Sequence, residues 1–239
     1  MRADKFLVQK GFFESRNRAS EALKAQKVII NGVVAKPSTE CNNSSDIKIL
    51  EEKFYISRSA QKLEYFLKEV DLDLNGKRAL DIGSSTGGFV QILLENGVKE
   101  VFAVDVGDNQ LHKSLRDNSR VRIFENCDIR EFKSGEPFDI VTCDVSFISI
   151  LKIIDSINRL SKRDIIILFK PQFEVGRYIK RNRKGVVLDN RAIDTARAKF
   201  EEYAKNLGWR FQKSLKSKLS GKSGNIEYLY YFIKGEYGD

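Results

Sequence analysis

The chain has 239 residues, of which 41% are hydrophobic and 31% are charged, as in an ordinary globular protein and unlike a disordered or fibrous one. This length suits one sizeable domain and a small one. With no run of 18 apolar residues and no signal-peptide pattern, we expect a cytoplasmic protein without a membrane anchor. Cys41, Cys127 and Cys143 have neither metal-ligand spacing nor a disulfide framework, so the expected compartment is a reducing cytoplasm.

The net charge of +9 is unevenly distributed along the chain. Residues 1–60 hold 11 Lys/Arg against 7 Asp/Glu, residues 61–176 hold 16 against 19, and residues 177–239 hold 15 against 7. Basic flanks around a slightly acidic middle are typical of a protein whose flanks contact a polyanion. A basic surface that is merely solvated is the alternative interpretation.

Residues 1–50 are predicted to form a separate small α+β domain. Residues 5–10 and 15–23 have helical patterns, and residues 28–34 predict a hairpin because Asn-Gly separates two β-branched runs. Residues 47–50 supply another strand. This order resembles the small RNA-binding domain first seen in a ribosomal small-subunit protein. The resemblance implies that basic side chains here contact RNA phosphates, giving affinity but little sequence readout. They are Arg2, Lys5, Arg16, Arg18, Lys24 and Lys27.

Residues 51–56, a charge cluster followed by aromatic residues, form the predicted linker to a larger domain at residues 57–239. From Ser57 onward an apolar face at i, i+3, i+4, i+7 predicts a helix with Lys62 at the edge of that face. Seven strands then alternate with helical segments, which predicts a doubly wound, Rossmann-like, mostly parallel α/β sheet. The last two strands are expected to pair antiparallel at one edge. The predicted strands are residues 78–82, 101–105, 121–124, 138–144, 164–170, 209–214 and 226–233.

The segment Leu-Asp-Ile-Gly-Ser-Ser-Thr-Gly-Gly-Phe at residues 80–89 is the most informative in the chain. A strand breaks there into a glycine-rich turn and a helix start, where the backbone can approach a ligand and helical N–H groups are free. The next strand ends at Asp105, a carboxylate suited to a ribose diol. A nucleoside-bearing ligand is therefore predicted. The alternative is a turn that needs small residues only for packing.

The spacing of this turn is neither the G-x-G-x-x-G of dinucleotide sites nor a P-loop. Asp81 beside the glycines suits a positively charged ligand, so S-adenosylmethionine fits better than NAD or ATP. Asp81 as a cap of the turn is the alternative. Asp105 would hold the ribose diol and Asp128 the adenine amine, and no metal is predicted. The predicted cofactor contacts are Asp81, Gly83, Ser84, Ser85, Thr86, Gly87, Gly88, Phe89, Asp105, Asp128 and Asp144.

Asp144 and Lys170 end two neighbouring predicted strands, and ligands of such sheets bind beyond these carboxyl ends. Lys170 follows an all-apolar strand, so its ammonium would be partly desolvated. Desolvation favours the neutral amine and a nearby carboxylate favours the ammonium, and their balance decides whether Lys170 can act as a base. A purely structural Asp–Lys pair is the alternative.

Four ordered motifs, at residues 83–89, 144–149, 170–174 and 223–228, closely resemble those of the TlyA family, and the resemblance covers nearly the whole chain. That family belongs to the FtsJ-like ribose 2′-O-methyltransferases, which have a Lys-Asp-Lys-Glu tetrad. Carried over by motif, the tetrad is Lys62, Asp144, Lys170 and Glu227. Lys170 would accept the proton of the ribose hydroxyl, while the other three tune Lys170 and hold the ribose.

The resemblance implies S-adenosylmethionine-dependent 2′-O-methylation of cytidine in ribosomal RNA, a modification that affects sensitivity to cyclic-peptide antibiotics. The chain looks like the shorter form of the family, which favours the large ribosomal subunit as partner. Residues 176–185 are more basic than the family pattern, and either contact RNA or form a solvated loop. Nothing in the sequence predicts an oligomeric state.

Three competing functions are weighed against this one. A non-catalytic ribosome assembly factor would bind RNA without transferring methyl groups. A membrane-lytic protein is suggested by the haemolysin label of the family, but no long amphipathic segment supports it. Methylation of a small molecule is disfavoured by the basic flanks.

Overall fold

The computed structural model describes residues 1–13, 15–50 and 53–235, and the chain divides into two compact units, residues 1–54 and 55–239. Glu51 and Glu52 of the predicted linker lie outside the described residues, as do residues 236–239 of the predicted second domain. The linker therefore stays a prediction.

The first unit is a small α+β fold. Its elements are α1 (Ala3–Gln9), α2 (Arg16–Lys24), β1 (Val28–Ile30), β2 (Val33–Val34) and β3 (Ile47–Ile49). The predicted hairpin is present: β1 pairs antiparallel with β2, and β3 pairs with the other side of β1. Asn31 and Gly32 both have positive φ angles, of 51° and 79°, which a tight two-residue hairpin turn requires. Helix α1 starts two residues earlier than its apolar pattern indicated.

The second unit has a single mixed sheet. Its elements are α3 (Arg58–Leu67), β4 (Arg78–Ile82), α4 (Gly88–Glu95), β5 (Glu100–Val104), α5 (Lys113–Arg116), β6 (Val121–Phe124), β7 (Phe138–Cys143), α6 (Ile154–Leu160), β8 (Ser161–Phe169), α7 (Pro171–Glu174), α8 (Asn190–Asn206), β9 (Trp209–Lys216) and β10 (Tyr228–Lys234), with a short 3-10 helix at Ile150–Lys152.

The strand order β6-β5-β4-β7-β8-β10-β9 confirms the predicted seven-stranded, doubly wound sheet. The first five strands in this order are parallel, and β10 runs antiparallel to both β8 and β9 at one side. The chain reverses its winding between β4 and β7, and the carboxyl ends of strands at such a switch point form the usual ligand crevice.

Apolar clusters cover both faces of the sheet. One cluster includes Ile154 and Ile157 of α6 and Phe200 of α8, and the other includes Leu63 of α3 and Phe89 of α4. The result is a three-layer α/β/α arrangement, as the alternation of strands and helices predicted.

Several element bounds and the position of Lys62 differ from the sequence prediction. Strand β8 begins at Ser161 and not at residue 164. The exposed Lys162 and Arg163 break the apolar run, but Ser161 still pairs with Phe138 of β7 across an irregularity in the register. Strand β10 begins at Tyr228 and not at residue 226. Lys62 is not at the edge of α3, since only 7% of it is exposed.

Candidate active site

Two adjoining cavities open at the carboxyl ends of β4, β7 and β8, with volumes of about 940 Å³ and 430 Å³. Residues of the loops after β4 and β7 line both cavities. These shared residues are Gly83, Ser85, Asp144, Ser146 and Phe147. A bipartite ligand can therefore pass from one cavity to the other at the switch point of the sheet.

The glycines of the turn after β4 have different roles. Gly83 has a φ angle of +77°, and a Cβ there would lie 2.9 Å from the carbonyl oxygen of Asp144, so only glycine fits where the two loops meet. Gly87 has a φ angle of +95°, and a Cβ there would overlap Leu115. A Cβ at Gly88 would overlap the start of α3. Neither of these two glycines lines either of the two cavities, and packing explains both. The turn residues that do line the larger cavity are Gly83, Ser84, Ser85, Thr86 and Phe89.

Asp81 is a buried carboxylate beneath this turn. The hydroxyl of Thr142 donates to its Oδ1 at 2.7 Å, whereas its Oδ2 is buried without a hydrogen-bond partner. Burial raises the pKa of Asp81 to about 8, with a further contribution from the charge of Asp144. A turn cap would accept a backbone N–H, which is not the contact found. The site fits a ligand that brings a cationic amine to the larger cavity.

Asp105 and Asp128 line the smaller cavity, each with donors already in place. The Asp105 carboxylate accepts the backbone N–H groups of Ser85, at 2.8 Å, and Gly107, at 2.7 Å. The guanidinium of Arg130 binds both oxygens of Asp128 at 2.5 to 3.1 Å and lowers the pKa of Asp128 to about 2. A ligand amine at Asp128 would share these oxygens with Arg130.

The four predicted catalytic residues meet in the larger cavity as two ion pairs. Lys170 Nζ lies 2.6 Å from Asp144 Oδ1 and donates to the hydroxyl of Ser146 at 2.9 Å. Lys62 Nζ lies 2.5 Å from Glu227 Oε2, and only 2% of Glu227 is exposed. Burial raises the pKa of Asp144, and the positive charge of Lys170 opposes this. The cavity thus holds an amine and a carboxyl group that can exchange a proton.

The sequence assigned no role to Glu174 and Gln172, which support the site. Glu174 accepts the hydroxyl of Ser149 at 2.6 Å and the backbone N–H of Ile150 at 2.9 Å, and so ties the loop after β7 to the segment after β8. Gln172 donates to Glu227 at 3.2 Å. Both lie in the motif at residues 170–174, which was the only sequence signal for them.

Phe147 stands at the entrance shared by both cavities. Its side chain is 92% exposed, its φ angle is +66°, and its ring packs 5.2 Å from that of Phe173. An exposed aromatic residue on strained backbone is costly to maintain, and such residues cluster at ligand contacts.

In the first unit, two of the six predicted RNA-contacting residues converge on one carboxylate. Arg2 and Arg16 lie 3.2 Å and 2.9 Å from the buried Asp4, and the hydrogen bond from Arg2 lowers the pKa of Asp4. Arg2 and Lys24 line a groove that also includes Lys36. Lys5, Arg18 and Lys24 are exposed, whereas Lys27 is half-buried.

Residues 1–13, 15–50 and 53–235 contain neither a membrane-spanning helix nor a cluster of metal ligands. No helix there is both long and apolar enough to span a bilayer. No three His, Cys, Asp or Glu side chains there are grouped as metal ligands. The one histidine, His112, caps the short helix α5 by accepting the N–H of Ser114.

Comparison with known proteins matches both units to described families. Residues 55–234 match the FtsJ-like methyltransferase family and residues 1–47 match the S4 domain. The chain is 46% identical to the 23S rRNA (cytidine-2′-O)-methyltransferase TlyA of Campylobacter jejuni, over 98% of this chain and 100% of that protein. It is 37% identical to the 16S/23S rRNA (cytidine-2′-O)-methyltransferase TlyA of Mycobacterium tuberculosis, over 95% of this chain and 88% of that protein. A solved structure of a candidate hemolysin from Streptococcus thermophilus is 32% identical to this chain, with a TM-score of 0.72. The match covers 99% of this chain and 89% of that one.

Proposed function

This chain belongs to the TlyA family of FtsJ-like methyltransferases with an N-terminal S4 domain, and we propose that it methylates the 2′-hydroxyl of a cytidine ribose in ribosomal RNA of the large subunit. The methyl donor in this proposal is S-adenosylmethionine, and the ribosomal substrate places the reaction in the cytoplasm. Loss of the modification should change sensitivity to cyclic-peptide antibiotics that bind the ribosome.

The arrangement of Lys62, Asp144, Lys170 and Glu227 in one cavity carries the proposal. Two lysines and two carboxylates from four separate chain segments meet there as close ion pairs. Buried charges are costly, and groups with perturbed protonation cluster at functional sites. An assembly factor that only binds RNA would gain nothing from them.

The two cavities suit the two halves of the methyl donor. The unpaired oxygen of Asp81 would receive the ammonium of the methionine part. Asp105 would hold the ribose diol, and apolar side chains of the smaller cavity, among them Val106, Ile129 and Ile148, would face the adenine. When bound, S-adenosylmethionine supplies a methyl group on a sulfonium, which is an excellent leaving group.

The residues of the larger cavity then have distinct tasks. Lys170 Nζ would accept the proton of the ribose 2′-hydroxyl, and the hydroxyl oxygen would receive the methyl group that the bound donor supplies. Asp144, whose pKa is raised by burial, takes the proton that Lys170 holds beforehand. Lys62 and Glu227 hold the ribose, so that positioning supplies much of the rate.

Purified protein incubated with tritiated S-adenosylmethionine and separated ribosomal subunits tests this function. We expect label in large-subunit RNA, at a cytidine ribose that resists alkaline cleavage. Label in small-subunit RNA as well would correct the substrate assignment. Absence of label in both subunits, with intact binding, would favour the assembly-factor alternative.

The affinity for S-adenosylmethionine should depend on pH through Asp81. Its pKa of about 8 means that the free protein holds a proton there, which must leave when a cationic amine binds. Below pH 8 the affinity for S-adenosylmethionine should therefore rise about tenfold for each unit by which the pH is raised. Calorimetric titration at pH 6, 6.5 and 7 measures this slope.

Asp81→Asn is the control for this pH effect. The variant should bind the cofactor more weakly and with no such slope. Asp81 should also make the stability of the protein depend on pH, because the unfolded chain loses this proton near pH 4 and the folded chain near pH 8. The free energy of unfolding should thus fall as pH rises between these values, and less so in the variant. Equal slopes in both proteins would contradict the assignment.

Arg16→Ala combined with Arg18→Ala should weaken binding to ribosomal subunits. With each phosphate contact that is lost, binding releases fewer counterions from the RNA. The slope of log affinity against log salt should therefore become shallower by about 1 per residue. Cofactor affinity should stay at the wild-type value. Binding that is unchanged at 50, 100 and 200 mM salt would leave these arginines as a solvated face.

A further inference from the structure

Two lysine-bearing loops meet at the rim of the larger cavity. Residues 182–187 contribute Lys184, and residues 220–225 contribute Lys222. Both lysines are exposed, although the cavity that they border has the buried acids Asp81 and Glu227 in its lining. The sequence left open whether the basic segment at residues 176–185 contacts RNA or is simply solvated.

The first of these loops, residues 182–187, is a turn held by hydrogen bonds. The side-chain Oδ1 of Asn182 accepts the N–H groups of Lys184, at 2.8 Å, and Val186, at 3.0 Å, and the N–H of Gly185 donates to the carbonyl of Asn182 at 2.9 Å. Arg181 beside the turn donates to the carbonyls of Ile179 and Gly176, both at 2.8 Å. Arg181 therefore holds the segment together, while Lys184 at the tip of the turn is left to solvent.

Asn225 fastens the two loops to each other. It is buried, with 3% of its surface exposed, and its Oδ1 accepts the N–H of Val187 at 3.0 Å while its Nδ2 donates to the carbonyl of Gly185 at 3.1 Å. Its own carbonyl accepts the N–H of Gly221 at 2.8 Å, next to Lys222. A buried amide thus fixes the backbone beneath both lysines.

The positive charge of this rim is not neutralised within the described part of the chain. No carboxylate there lies within ion-pair distance of Lys184 or Lys222. Arg58, on the same rim, donates to the carbonyl of Ser220 at 2.7 Å, which adds a further positive charge and a third tie on the loop. Lys184 and Lys222 thus place two ammonium groups without an ion-pair partner in the described residues on a backbone that is held in position. Such an arrangement is suited to binding an extended polyanion.

We propose that Lys184 and Lys222 form a phosphate clamp, which holds the RNA backbone beside the nucleotide whose ribose enters the cavity, and that Asn225 is its positioning residue. This clamp deepens the proposed function and rests on it. Phosphate contacts give register without reading bases, so the clamp sets which ribose reaches Lys170 and not which base it carries.

Binding of the full chain to large ribosomal subunits, measured between 50 and 200 mM salt, tests the clamp. Lys184→Ala with Lys222→Ala should make the slope of log affinity against log salt shallower by about 1.5 and raise the KM for the subunit, with cofactor affinity unchanged. The matched control, Lys133→Ala with Lys205→Ala, removes the same charge from exposed lysines outside the cavity and should change the slope much less.

Asn225→Ala separates position from charge. It keeps both lysines, yet it should also make the salt slope shallower, because the loops are no longer held together. Equal slopes for the clamp pair and its control pair would overturn the clamp. A wild-type slope in Asn225→Ala would overturn the positioning role. Methyl transfer by the wild-type protein is scored separately, so failure of the proposed reaction is distinguishable from failure of the clamp.

Discussion

Lys170→Arg is expected to lower the rate of methyl transfer by about 10²–10⁴-fold, the usual contribution of a general base. The guanidinium keeps the positive charge beside Asp144 but cannot give up a proton near neutrality. Affinity for RNA and for S-adenosylmethionine should remain close to wild type. Single-turnover rates with saturating ribosomal subunits measure the effect on the chemical step.

Ser146→Ala is the matched comparison for this prediction. It removes the hydroxyl that accepts a hydrogen bond from Lys170 but leaves the amine in place. We expect a loss of about tenfold or less, since the variant keeps the amine that accepts the proton and a single hydrogen bond is worth about 1 kcal/mol. If Lys170→Arg turns over at a rate near wild type while Lys62→Arg is inactive, the two lysines exchange roles.

Lys62→Met should destabilise the second unit by about 3–5 kcal/mol, the largest stability effect that we expect from a single substitution. The ammonium of Lys62 is the ion-pair partner of Glu227, and both side chains are almost fully buried. Removal of the cation leaves a carboxylate whose one remaining hydrogen bond within the described part of the chain comes from Gln172. Urea unfolding, followed by circular dichroism, measures the loss.

The double variant Lys62→Met with Glu227→Leu separates charge from packing. Because both charges are gone, most of the lost free energy of unfolding should return, although methyl transfer should stay absent. A single variant that costs less than about 1 kcal/mol would mean that solvent reaches Glu227 and that the pair is not buried as described.

The organisation of the chain followed from local sequence signals. Asn31-Gly32 between β-branched runs predicted the hairpin, and apolar runs separated by helical patterns predicted the seven strands. These signals are strong because turn conformation and side-chain periodicity depend on neighbouring residues. Where polar residues extend a strand, as Lys162 and Arg163 do in β8, the same signals placed the beginning of the strand wrongly.

The candidate residues could be named from motifs, but only some of their partners could. The sequence indicated Asp144 beside Lys170, since neighbouring strand ends meet in a parallel sheet. The family resemblance put Lys62 and Glu227 in one tetrad, but nothing in the sequence indicated that they pair directly. They are 165 positions apart and come together only when α3 packs near the start of β10. In the same way, Glu174 and Asn225 gain their roles from loops that meet across the fold.

By itself, the sequence determined the family, the strands and the residue types that the chemistry needs, because motifs and periodicity are local properties of a chain. Only the tertiary structure decided that Gly87 and Gly88 serve packing, that the buried Oδ2 of Asp81 has no hydrogen-bond partner, and that Arg130 occupies Asp128. These outcomes depend on burial and on which groups compete for each polar atom. Burial and competition arise when distant segments pack, so spacing along the chain does not contain them.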